Sequence, residues 1–299
     1  MITTKQQIWV EPHPVRVETR LGVVECAVSG NGPAILLLHG AMGGYDQSLL
    51  LGRAAVGSSG FQFIAVSRPG YLATPLASGK SPEQQADLIA AVLDAFDIPQ
   101  AAVIAVSGGG QCALQFAIRH PDRCLALVMV SACSEPLDVR LPFGFHIMKW
   151  TARFPLLVDM LRRKAAANPA SSARRSITDP ALRERTVSDP EAGPLMLALQ
   201  LSTMNRMAQR LPGTENDILQ SRLPFAYPLE QVSVPTLVVH GTADHAVPFA
   251  QATSLAKRVP RAEILTIDGG EHVALFTHLH EIRTRILQFL GFLMPPVAE

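Results

Sequence analysis

At 299 residues and 48% apolar content, the chain can bury a full core, which excludes wholesale disorder. Its 26 Lys and Arg against 25 Asp and Glu leave a net charge of +1, no electrostatic reason to expect nucleic acid as a partner. No stretch reaches the ~18 apolar residues a membrane span needs, and the start, MITTKQQIWVEPHPVRVETR, lacks a signal-like apolar run, so a cytoplasmic protein is expected.

Val15, Val17 and Thr19 alternate with Arg16, Glu18 and Arg20, the period of a strand. A second strand follows over 23–28, then a turn at Asn31-Gly32. AILLLHG (34–40) is apolar on both faces, as a central strand of a covered sheet would be. FQFIAVSRPG (61–70) reads as a strand. SPEQQADLIAAVLDAFDI (81–98) reads as a helix with Ser81 as N-cap, Pro82 at the first position and Gln84 closing a capping box. A strand (101–107), a helix (108–120) and another strand (124–133) come next. Strands alternating with helices imply an α/β protein with a parallel sheet and crossover helices on both faces. From 134 to 222 no buried strand is evident; helical stretches rich in Met, Leu, Phe and Arg are broken by prolines. The pattern resumes with a strand (234–241), a helix (249–258), a strand (262–268) and a final helix (279–293). The expected organisation is a core of 1–133 and 223–299 interrupted by a helical segment, 134–222.

Cys26, Cys112, Cys124 and Cys133 form no CxxC pair and no metal-like spacing with histidine, so they are expected as buried free thiols. No metal site is expected.

In AVSGG (105–109) a serine stands between an apolar strand and a helix, with Ala105 two before it and Gly109 two after. So sharp a turn strains the backbone, tolerates only small neighbours and lifts the hydroxyl clear of the sheet. The Gly108 amide and the helix dipole then face a developing oxyanion. The bland reading of the same residues is a glycine-rich turn with a passive serine.

A serine hydroxyl needs a base. His272, in DGGEH between the last strand and the last helix, is the best placed histidine. His39 and His240 end apolar strands and read as structural, although His39 borders the loop 36–44 and is kept as a substrate contact. Asp244, just past the strand 234–241, would orient the base, with an Asx turn as its bland reading and Glu135 as the reserve acid. Asp268 reads as a turn residue. LLLHGAMGG (36–44) should supply a second oxyanion donor: the Ala41 amide, with Met42 as fallback.

The segments LLLHG, SRPGY, AVSGGG, HGTADHAVP and GGEH, with Ser107, Asp244 and His272 in that chain order, resemble the α/β-hydrolase fold family. The resemblance implies an eight-stranded, mostly parallel sheet flanked by helices, and makes 134–222 a cap inserted after the sixth strand. Two positions depart from the family pattern: Ser67, where aspartate is usual, and Ala105, where glycine is usual. The expected function is a serine hydrolase of the carboxylesterase kind. It would cleave a small, largely apolar ester through an acyl-enzyme, without cofactor. A C–C bond hydrolase or cofactor-free perhydrolase on the same triad, and a binding protein with a vestigial triad, are the alternatives. Phe143, Met148, Trp150, Met204 and Val247 are candidate substrate contacts, although most cap residues of this kind simply pack the cap onto the core. Oligomeric state is left open.

Overall fold

The computed structural model describes residues 13–137 and 143–293. Eight strands form one sheet: β1 (Val15–Thr19), β2 (Gly22–Ser29), β3 (Ala34–Leu38), β4 (Gln62–Val66), β5 (Ala101–Val106), β6 (Cys124–Val130), β7 (Thr236–Gly241) and β8 (Ala262–Ile267). Their order is β1-β2-β4-β3-β5-β6-β7-β8. β2 runs antiparallel to both β1 and β4, and every other pairing is parallel. The mostly parallel, eight-stranded sheet that the resemblance implies is therefore present.

The period of two sorts each strand's side chains onto opposite faces. Ile35 and Leu37 join one cluster with Ile104, Val128 and Val239. Leu36 and Leu38 join the other with Val103, Leu127 and Val238. The first face is covered by α1 (Tyr45–Val56) and α12 (Leu279–Gly291), the second by α2 (Pro82–Ala95), α3 (Gly110–Arg119) and α10 (Phe249–Arg258). α2 starts as its capping box dictates: the Gln84 amide donates to Ser81 Oγ at 3.3 Å, and the Ser81 amide donates to Gln84 Oε1 at 3.2 Å. The four cysteines are free and buried.

Between β6 and β7 the described chain forms α4 (Phe143–Thr151), α5 (Pro155–Ala167), α6 (Pro169–Ala173), α7 (Pro180–Ser188), α8 (Ala192–Met204) and α9 (Leu211–Arg222). These helices do not share one separate core. Ala173, Ile177, Leu195 and Met196 belong to the main cluster beneath α1 and α12. Phe145, Ala152 and Leu211 form a small cluster of their own, with Met42, Met148 and Met207 against it. Among the described residues no helix is long and apolar enough to cross a membrane.

Parallel strands end at a common edge, and the loops past β3, β5, β7 and β8 carry His39, Ser107, Asp244 and His272 respectively. Residues far apart in sequence are thus delivered to one rim.

Candidate active site

The turn from β5 to α3 is as tight as its composition demands. Ser107 sits at φ +51°, in the left-handed region that side chains avoid. A Cβ on Gly109 would lie 2.7 Å from the Leu38 carbonyl oxygen, and one on Gly40 would lie 2.8 Å from the Ser107 Cβ. Only glycine fits at those two places. Ala105 is fully buried in the sheet core, where its methyl is accommodated.

Ser107 Oγ lies 3.1 Å from His272 Nε2, and His272 Nδ1 lies 2.8 Å from Asp244 Oδ2. Ionised, the carboxylate can only accept, so Nδ1 carries the proton and Nε2 presents a lone pair to the serine hydroxyl. Asp244 Oδ1 accepts from the amides of Ala246 at 2.8 Å and Val247 at 2.9 Å, so the Asx turn also read from the sequence is present and fixes the carboxylate. His240 lies behind it, its Nε2 3.3 Å from Asp244 Oδ2 and 2.9 Å from the Val247 carbonyl oxygen. Burial opposes ionisation of Asp244, but the bonds from His240 and His272 outweigh it and hold the carboxyl well below the usual range. The backing role of His240 escaped sequence reasoning; its place four residues before Asp244, at the end of the same strand, was the available signal.

Gly108 follows the serine at the head of α3. Across from it, Ala41 is exposed and no acceptor among the described residues engages its amide. Met42 is different: its amide donates to Thr214 Oγ1 at 2.9 Å, so the fallback donor is already committed. His39 also needs correcting as a substrate contact. It is fully buried, its Nδ1 donates to the Gly40 carbonyl at 2.7 Å, and its Nε2 accepts from the Arg68 amide at 3.0 Å. Burial, and then the Arg68 charge, push its pKa well down, so the ring is a neutral strut under the loop.

The Glu135 carboxylate accepts from Ser254, and Asp244 rather than Glu135 meets His272, while Asp268 accepts from Thr242 in an exposed turn. Of the remaining candidates, the side chain of Phe143 lies outside the described residues. Val247 is buried and acts through its backbone. Met148 packs with Met42 and Met207 on the Phe145 cluster. Trp150 is exposed, its ring 4.8 Å from that of Phe154. Met204 lines a cavity of about 740 Å³ between α1, α5, α8 and 205–209, but none of Ser107, Asp244 or His272 reaches that cavity.

At the position where aspartate is usual, Ser67 Oγ donates to Glu25 Oε2 at 2.8 Å and accepts from the Tyr45 amide at 3.0 Å. The carboxylate that meets Ser67, just past β4, thus comes from β2.

A solved structure, an alpha/beta hydrolase fold protein from Nakamurella multipartita, superimposes with a TM-score of 0.81 at 32% identity, covering 93% of this chain and 99% of that one. The pimeloyl-[acyl-carrier protein] methyl ester esterase of Aromatoleum aromaticum is 28% identical over 83% of this chain and 94% of its own. The uncharacterized hydrolase YcgS of Bacillus subtilis is 35% identical, over 43% of this chain and only 47% of that protein. The family model for the alpha/beta hydrolase fold matches residues 33–279. Sheet order, sharp serine turn and family match agree, and the chain belongs to the alpha/beta hydrolase fold family.

Proposed function

We propose that the chain is a serine hydrolase that cleaves a carboxylic ester of a small, largely apolar substrate through an acyl-enzyme. The observation that supports this reading is the unbroken relay from Ser107 Oγ through His272 to Asp244, at 3.1 and 2.8 Å. In this reading His272 takes the serine proton as Oγ attacks the carbonyl carbon, and the amides of Ala41 and Gly108 receive the oxyanion. Collapse expels the alcohol, which takes the proton from His272. Water then attacks the acyl-enzyme by the same route and releases the acid. Asp244 stays ionised throughout, as its depressed pKa favours. The residues 134–222 act as a cap over a core of 1–133 and 223–299. Similarity to a methyl ester esterase supports an ester over other acyl bonds.

The test is hydrolysis of p-nitrophenyl esters of increasing chain length by the wild type and Ser107→Ala. At least a ~1000-fold loss in kcat/KM is expected for the variant. Equal turnover by both proteins would refute the assignment. Product analysis with a ketone substrate and with peroxide separates ester cleavage from C–C cleavage and perhydrolysis. Failure of a fluorophosphonate to label Ser107 would point instead to a binding protein.

A further inference from the structure

The Ala41 amide belongs to the peptide joining Gly40 and Ala41. The chain has no cis peptide among its described residues, so that N–H points opposite to the Gly40 carbonyl. Whatever holds the Gly40 carbonyl therefore aims the Ala41 amide. The Gly40 oxygen accepts from His39 Nδ1 at 2.7 Å and from Arg68 Nη2 at 3.4 Å, while Arg68 Nε donates to the neighbouring His39 carbonyl at 2.9 Å. Arg68 is itself buried and paired with Asp217 of α9, through Nη1 at 2.9 Å and through Nη2. The next peptide is fixed from the same helix, because the Met42 amide donates to Thr214 Oγ1 at 2.9 Å. The Thr214 hydroxyl donates to the Arg210 carbonyl at 3.0 Å, which leaves its lone pair directed at Met42. Beyond Ala41, Arg210 Nη1 donates to the carbonyls of Gly43 at 2.8 Å and Met42 at 3.3 Å, and Arg210 pairs with Asp46 of α1.

Arg210, Thr214 and Asp217 are spaced by four and then three residues, so they share one face of the helical segment. That face is locked to the core rather than hinged over it. The Gly213 amide donates to the Gly70 carbonyl at 2.8 Å, the Leu72 amide donates to the Gln209 carbonyl at 2.8 Å, and a Cβ on Gly213 would lie 2.3 Å from the Tyr71 ring.

We propose that Arg210, at the N-cap of α9, and Thr214 and Asp217 on α9 itself are positioning residues that aim the Ala41 amide at the oxyanion. The inference rests on the functional reading above and deepens it. The inserted segment supplies part of the catalytic framework: its last helix builds the wall of the oxyanion site.

Thr214→Val tests this with little change of shape, and Thr214→Ser is the conservative rescue. Each protein is measured for kcat and KM on p-nitrophenyl acetate per fluorophosphonate-titrated site. Each is also measured for affinity toward an aryl trifluoromethyl ketone, whose hemiketal oxygen occupies the oxyanion position. Thr214→Val is expected to lower kcat and weaken the ketone in parallel, by roughly 10- to 100-fold, with KM within about twofold. Thr214→Ser should recover most of both losses. Wild-type values in Thr214→Val, or a loss confined to the number of titratable sites, would overturn the proposal. If the wild type shows no Ser107-dependent hydrolysis, the functional reading falls first and this inference with it. If that hydrolysis is present and Thr214→Val is unaffected, the inference alone falls.

Discussion

Asp217→Ala removes the only carboxylate that touches the Arg68 guanidinium among the described residues. Arg68 is 1% exposed and Asp217 10%, so no solvent can replace the lost partner without the site opening. Burial opposes the Arg68 charge and Asp217 more than offsets it, so the guanidinium is held firmly protonated. The variant keeps that charge with only Gln85 Oε1 and the two loop carbonyls as acceptors. Tyr71, which donates to Asp217 Oδ2 at 2.6 Å, loses that acceptor as well. Orphaning one member of such a pair costs about 3–5 kcal/mol. For a chain of this size, at ~2 °C per kcal/mol, that is a fall in Tm of about 6–10 °C. Calorimetry and urea unfolding measure it. The double variant Arg68→Met, Asp217→Leu removes both charges, and is expected to recover most of the loss because the penalty lies in the uncompensated charge rather than in the missing contact. A fall of under about 2 °C in Asp217→Ala would refute this account, as would a double variant no more stable than the single one.

The low pKa of Asp244 carries a pH signature. A depressed folded pKa adds stability that is fully present above the ordinary carboxylate range and is lost as pH falls through the folded value. The stability gap between the wild type and Asp244→Asn, followed by urea unfolding, should therefore narrow below about pH 4; a constant gap from pH 7 to 3 would contradict it. The thiols of Cys26, Cys112, Cys124 and Cys133 are pushed up to about 12, chiefly by burial. Iodoacetamide at pH 8 should leave all four unmodified in the native protein and label all four in urea. Rapid labelling of any one in the folded state would show that its site opens.

The strands, and the helices that alternate with them, were readable because burial leaves local marks: AILLL apolar on both faces, or Ser81 and Gln84 reciprocally capping α2. Ser107, Asp244 and His272 were readable for a related reason. Each stands in a short loop just past a strand, where small neighbours betray a sharp turn, and the parallel topology carries all three to one rim. The α9 face lacked any such mark. Arg68 and Asp217 are 149 residues apart and Met42 and Thr214 are 172 apart, so neither partner announces the other. Polar residues at three- and four-residue spacing on a helix ordinarily mark a solvated surface. Here the same spacing faces inward, because Gly70 and Gly213 let the helix approach the core backbone closely enough for its polar stripe to be buried and satisfied. The candidate substrate contacts were obscure for the opposite reason. Met148 filling a cluster and Met204 lining a cavity belong to the same residue type with the same helical periodicity, and only the neighbours supplied by the fold distinguish them. What a sequence conceals, then, is any group whose role is set by a partner brought in by topology, and in this chain those groups lie where the inserted helices meet the loop past β3.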